Sequence, residues 1–291
     1  MSAFKLATAQ YDIGFFTQWE EFAEKLDRWV TNAAQQDAKL LVFPEYGSME
    51  LASLFGKAVY SDLQKQLHAM QTLLAKWHDL HTELAKRHNV LILASSFPTE
   101  QQDGRFLNRA NLFGPKSLID YQDKLMMTRF ENEQWHISGG KEIKVIDTDL
   151  GRIGIHICYD SEFPMIANRQ VAAGADLLLV PSCTDTQAGF HRVRIGCQAR
   201  ALENQCYVVQ SPTIGNAPWS EAVDVNTGRA SIYTPVDYGF PDNGILAEGK
   251  DNEAGWVYAT VDLSEIARIR KEGQVFNYRD WPKQFKLTSI E

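Results

Sequence analysis

An α/β layered fold is what this sequence predicts. Apolar runs of strand length recur along the chain, amphipathic helical segments lie between several of them, and no repeat, low-complexity tract or Pro/Gly/Ser-rich linker interrupts the pattern. A chain of 291 residues with 44% hydrophobic and 23% charged positions can bury a sizeable core. One domain spanning residues 1–291 is therefore the simplest expectation.

Strands are predicted at 5–10, 40–43, 90–95, 110–113, 117–121, 143–147, 152–157, 177–180, 207–211 and 256–261. Several, such as the LLVF of 40–43 and the LLLV of 177–180, are unbroken apolar runs, which suits strands covered on both faces. A helix is predicted at 19–34, where Phe22, Leu26, Trp29 and Val30 fall on one face. A longer one is predicted at 61–88, with Leu63, Leu67, Met70, Leu74, Trp77 and Leu84 in a stripe. Helices at 163–173 and 190–204 complete the set, and Gly174 suits the stop of the first.

Composition excludes several function classes. With 29 Lys+Arg against 37 Asp+Glu, the formal charge of -8 lacks the basic surface that nucleic-acid binding needs. The apolar runs fall far short of the roughly 20 residues that span a bilayer. The N-terminal stretch has no sustained apolar segment of the secretory kind, so a cytoplasmic protein is expected. The four cysteines, Cys158, Cys183, Cys197 and Cys206, form no C-x-x-C and no disulfide spacing, so each is read singly.

In α/β folds, reactive groups collect just past the carboxyl ends of strands. Glu45 follows the run KLLVFPE, where desolvation raises a carboxylate toward the range of a general base; it also suits the N-terminus of a following helix. Cys158 ends GRIGIHIC, where Tyr159 and Asp160 open a turn toward the helix beginning near Pro164. A nucleophile on such a turn is exposed beside backbone N–H groups, although a lone cysteine is also a common buried hydrophobe. Cys197 and Cys206 fit that second description, and Cys183, past the strand at 177–180, fits a pocket neighbour. Lys124, ahead of Leu125, Met126 and Met127, suits partial burial against a carboxylate as well as it suits the surface.

A thiol with a reference pKa of about 8.5 needs a base or a positive neighbour at pH 7. Histidine is the usual base. His156 lies two residues from Cys158, and His136 and His191 read as loop residues, so a Cys–His arrangement competes with one built on Glu45 and Lys124.

The segments FPEYGS, DKLMMTRFENEQW and IHICYDSEFP, in that order, resemble the carbon–nitrogen hydrolases of the nitrilase superfamily. GADLLLVPS and ARALENQCYVV extend the likeness over nearly the whole chain. The resemblance implies a four-layer α-β-β-α sandwich that commonly dimerises, here through the helices at 163 and 190. It implies Cys158 as nucleophile, Glu45 as general base and Lys124 as the cation that meets the oxyanion, with the Tyr159 N–H beside it. A second, positioning glutamate is implied a few residues past the lysine: Glu131, with Glu133 as competitor. Glu162 departs from the family, standing where a number of amidase branches carry Arg. The pattern is similar to a bacterial-type branch, some members of which are joined to an acetyltransferase domain; no appended module is expected here.

The implied activity is hydrolysis of a small non-peptide C–N bond through a thioester, of amidase or omega-amidase type, with no metal or organic cofactor. Nitrile or N-carbamoyl hydrolysis, acyl transfer from the same thioester, and a silent scaffold are the alternatives. Tyr46, Phe130, Trp135, Tyr159, Glu162, Cys183 and Thr184 adjoin the reactive positions in sequence and are the expected pocket wall for an amide-type substrate.

Overall fold

The protein is described by a computed structural model covering residues 3–287. Two sheets build the fold. In the first, Leu91–Leu93, Leu40–Val42 and Phe4–Asp12 run parallel, flanked on one side by the antiparallel Phe106–Phe113 and Phe97–Glu100 and on the other by Gly255–Val261. In the second, Gly151–Ile155, Leu177–Ser182 and Tyr207–Asn216 run parallel, with Ser231–Tyr233 and Ile245–Glu248 continuing one edge. The sheets meet where Tyr11 and Asp12 pair in parallel with Thr213 and Ile214.

The period-2 alternation of the strands divides their side chains between two cores. Leu6, Leu40, Val42, Leu91 and Leu93 share a core with Ile153, Ile155 and Leu178 of the second sheet. Their neighbours Ala7, Leu41, Phe43 and Ile92 pack outward against Phe22, Leu26 and Val30 of helix Trp19–Gln35 and against Trp77 and Leu84 of helix Leu74–His88. Helices Pro164–Ala172 and Gln187–Asn204 supply Val171, Val193 and Cys197 to the second sheet's side. The resulting order of layers is the α-β-β-α sandwich. Among the described residues, no helix is long and apolar enough to cross a membrane.

All ten expected strands and three of the four expected helices are present with shifted ends. The helix expected over 61–88 is not continuous: Leu63–Gln71 and Leu74–His88 are separate, preceded by Lys57–Tyr60. Thr72 folds its hydroxyl back on the Ala69 carbonyl, and Gln71 is tied through Nε2 to the Pro98 carbonyl, so the stripe turns at that point. His191, read as a loop residue although the helix expected over 190–204 includes it, is helical; that helix begins three residues earlier than expected, where the Thr186 hydroxyl accepts from the Gly189 N–H at 3.1 Å.

One close approach ties this framework to the cysteine turn. Helix Gln187–Asn204 passes the segment Cys158–Glu162 so tightly that a Cβ on Gly196 would stand 2.8 Å from the Ser161 carbonyl oxygen. Ser161 in turn donates its hydroxyl to the Cys158 carbonyl at 2.7 Å. Gly196→Ala is therefore expected to cost about 1–3 kcal/mol by forced displacement and to disturb the turn that carries Cys158. Thermal unfolding checks this, and an unchanged melt would show that the helix can move away freely.

Candidate active site

Three strand ends deliver the candidate side chains. Leu40–Val42 leads into Glu45, Leu118–Asp123 into Lys124, and Gly151–Ile155 into Cys158. All three are nearly inaccessible to solvent and line one cavity of about 840 Å³. Cys158 has φ of 51°, a left-handed conformation that is sparsely populated outside glycine and that turns the chain sharply at the thiol. Tyr46, beside Glu45, shares that conformation at φ of 55°.

Lys124 is the centre of the charge arrangement. Its Nζ donates to Glu45 Oε1 at 2.7 Å and to both carboxylate oxygens of Glu131, each at 2.7 Å. The two carboxylates are held differently. Glu131 also accepts from the Tyr46 hydroxyl at 2.8 Å and from the Thr128 N–H and hydroxyl at 3.0 and 2.7 Å. Burial works against its charge, but the Lys124 ammonium and these donors outweigh burial and hold it below the ordinary carboxylate range. For Glu45, burial dominates over the attraction of Lys124 and is reinforced by the Glu131 charge, raising its pKa to about 7. Burial disfavours the charged form of Lys124, yet Glu131 and Glu45 together push its pKa well above the ordinary value.

The thiol sits beside this set. The Cys158 thiol donates to the Cys183 carbonyl oxygen, with Sγ 3.7 Å away, and lines the same cavity as Glu45. Burial, then the Glu45 charge, drive the thiol pKa well up. The protonated thiol is thus the favoured form.

Glu131 and Glu133 separate cleanly. The segment Glu131–Trp135 is one π-helical turn, whose wider winding turns Glu131 and Trp135 inward together. Glu133 points to solvent and pairs with Arg129 at 2.9 Å. Every expected wall residue lines the cavity: Tyr46, Phe130, Trp135, Tyr159, Glu162, Cys183 and Thr184. The Tyr46 and Trp135 rings pack with centroids 4.7 Å apart and a tilt of 47°. Cys183 directs its thiol to Asn226 Oδ1 at 3.0 Å, while Cys197 and Cys206 are buried in the core. Glu162 faces Arg192 of helix Gln187–Asn204 at 3.5 Å.

Among the described residues, no histidine lines the cavity. His156 shares a hydrogen bond with Gln170 on the helix side, and burial lowers its pKa to about 4. The Cys–His arrangement is therefore not formed. No group of three or more His, Cys, Asp or Glu among the described residues is placed to hold a metal ion.

Sequence reasoning missed three contributors. Asn108 donates to Glu45 Oε1 at 2.9 Å from the middle of a strand, and Arg192 reaches the cavity from a helix. Asp160 staples two loops: its carboxylate accepts from the N–H groups of Leu125, Met126 and Ile157 at 3.1, 2.8 and 3.1 Å. Its place two residues after the cysteine was the available signal.

The family description carbon-nitrogen hydrolase matches residues 5–271. The chain is 36% identical over 279 residues to the probable hydrolase YhcX of Bacillus subtilis, covering 95% of this chain and 53% of that protein. It thus spans about half the length of that relative. It is 26% identical over 287 residues to omega-amidase NIT2 of Danio rerio, covering 94% and 93% of the two chains. In structure it is similar to Nit3 of Saccharomyces cerevisiae, a member of branch 10 of the nitrilase superfamily, with a TM-score of 0.74, 22% identity and coverage of 92% and 93%. A second fold neighbour is a mutant of the amidase from Nesterenkonia sp. AN1, at TM-score 0.70, 19% identity and coverage of 96% and 99%.

Removing the Asp160 staple tests how the loops are held. Asp160→Ala leaves three N–H donors without their acceptor, each worth about 1 kcal/mol or more when buried. A large loss of stability is expected, with Asp160→Asn milder because one acceptor oxygen remains. Equal melting of wild type and Asp160→Ala would contradict the staple.

Proposed function

Since this chain belongs to the carbon–nitrogen hydrolase family, we propose that it is a cysteine-dependent amidase acting on a small non-peptide amide, with Cys158 as nucleophile. The observation that carries this reading is the unequal pair of carboxylates on one ammonium, with the raised member, Glu45, beside the thiol. An acceptor with a pKa of about 7 is poised to take a proton and return it.

In the first step, the Glu45 carboxylate accepts the Cys158 thiol proton as sulfur bonds to the amide carbon. The carbonyl oxygen becomes an oxyanion, met by Lys124 and by the Tyr159 N–H at the first turn after the cysteine, where helical acceptors are lacking. All three hydrogens of the Lys124 ammonium face carboxylate oxygens in the free enzyme, so meeting the oxyanion means giving up one bond of the paired Glu131 contact. Protonated Glu45 then gives its proton to the leaving nitrogen, the C–N bond breaks, and ammonia or an amine departs. Water loses a proton to Glu45, adds to the thioester, and expels the sulfur as the thiol with that proton, leaving the carboxylic acid product.

Two finer points belong to the same reading. The apolar side chains of Met165 and Ile195 are exposed on helices Pro164–Ala172 and Gln187–Asn204, which supports a homodimer through that face. All four cysteines are free, which suits a reducing, cytoplasmic setting.

The reading is tested by ammonia release from short aliphatic amides and monoamides of dicarboxylic acids, with intact-mass detection of the acyl adduct. Cys158→Ala is expected to abolish both, and Glu45→Gln to lower turnover by about a thousandfold or more. Glu45 must be ionised to act, so kcat/KM falls below a midpoint near pH 7. Wild-type rates in Cys158→Ala, or a profile flat between pH 5 and 8, would overturn the assignment.

A further inference from the structure

Asn108 is an unusual choice for its position. It sits in the middle of strand Phe106–Phe113 with no solvent exposure, and its side-chain Oδ1 has no hydrogen-bond partner among the described residues. A buried amide with an unmet acceptor carries a cost that an apolar residue would avoid. What the amide does meet is Glu45: Nδ2 donates to Oε1 at 2.9 Å. The orientation is fixed by chemistry, since the reversed amide would set an oxygen lone pair against the carboxylate. The same residue also accepts the Lys124 N–H on its backbone carbonyl at 2.9 Å, so one position contacts two of the proposed reactive groups.

Both nitrogen donors to Glu45, Asn108 Nδ2 and Lys124 Nζ, meet Oε1. Oε2 has no nitrogen donor among the described residues. We propose that Asn108 is the positioning residue of Glu45: by holding Oε1, its amide fixes the carboxylate plane and presents Oε2 to the Cys158 thiol. The role rests on the reading of Glu45 as base. The amide also favours the ionised form, because it can donate to a carboxylate oxygen. The other groups acting on this carboxylate are Lys124, Glu131, Cys158, Tyr46 and Cys183, and each is still present when Asn108 is replaced.

The test is the pH dependence of Cys158 alkylation by iodoacetamide in the full chain, which needs no knowledge of the substrate. Asn108→Leu keeps the branched skeleton and removes the donor; Asn108→Asp keeps shape and replaces the donor with an oxygen. Loss of a hydrogen bond to a charged group should move the acid midpoint upward by about one pH unit. Asn108→Leu should therefore react about tenfold more slowly than wild type near pH 6 and approach it at high pH. Asn108→Asp, with an oxygen facing Oε1, should shift at least as far. Melting curves establish that each variant is folded, and if Asn108→Leu does not fold, Asn108→Ser, which also lacks the amide, replaces it. A uniform loss at every pH with an unmoved midpoint would assign Asn108 a packing role and overturn the proposal. Failure of the underlying reading is distinct: Glu45→Gln would then retain the wild-type alkylation profile, whatever Asn108 does.

Discussion

One buried ammonium serving two buried carboxylates is the constraint on which the rest of the site depends. Lys124, Glu45 and Glu131 all lie out of water, where an unpaired charge is expensive and a single cation cannot neutralise both acids. The protein resolves the conflict by unequal treatment. Glu131 receives two of the three lysine contacts together with Tyr46 and Thr128, and stays ionised. Glu45 receives one lysine contact and the Asn108 amide, and is left near neutrality in its affinity for protons. Because the groups interact strongly, the titration belongs to the set as much as to either residue.

Such an arrangement works only if distances are held, and the fold is arranged to hold them. Glu45 and Cys158 stand on different sheets, so the seam between Phe4–Asp12 and Tyr207–Asn216 fixes their separation. The Thr213 hydroxyl, from the second sheet, donates to the Glu45 carbonyl at 2.6 Å across that seam. Asp160 ties the lysine loop to the cysteine turn, and the π-helical turn at Glu131–Trp135 places a carboxylate and an aromatic wall from one short segment. The strained backbone at Cys158 is tolerated because Ser161 and Arg200 anchor the turn that follows it.

Much of this was legible in the sequence. Glu45 and Cys158 each follow a strand-length apolar run and Lys124 precedes the apolar Leu125, Met126 and Met127, and a carboxylate or ammonium in such a place signals burial with a purpose. The α/β alternation was equally plain, since buried parallel strands write themselves as unbroken apolar runs. The less legible parts have physical reasons. Phe97–Glu100, Ser231–Tyr233 and Ile245–Glu248 lie toward the outer parts of the sheets, and their short mixed sequences carry little hydrophobic signal. The helix expected over 61–88 kept its stripe through a turn, so periodicity alone could not show the break. Glu131 and Glu133 differ by two residues, and only the π-helical winding decides which faces inward. Asn108 lay hidden because a polar residue within a strand reads as a solvent-facing position, and Arg192 because a helical arginine reads as surface.

The central claim is that the two glutamates on Lys124 titrate far apart. It is tested most directly by carboxyl-carbon NMR of the protein labelled at glutamate, with Glu45→Gln and Glu131→Gln to assign the signals. The account requires one resonance with a midpoint near pH 7 that vanishes in Glu45→Gln, while the Glu131 carboxyl stays ionised below the ordinary glutamate value of 4.5. Two carboxyls titrating together near that ordinary value, or a neutral-range resonance that survives Glu45→Gln, would contradict it.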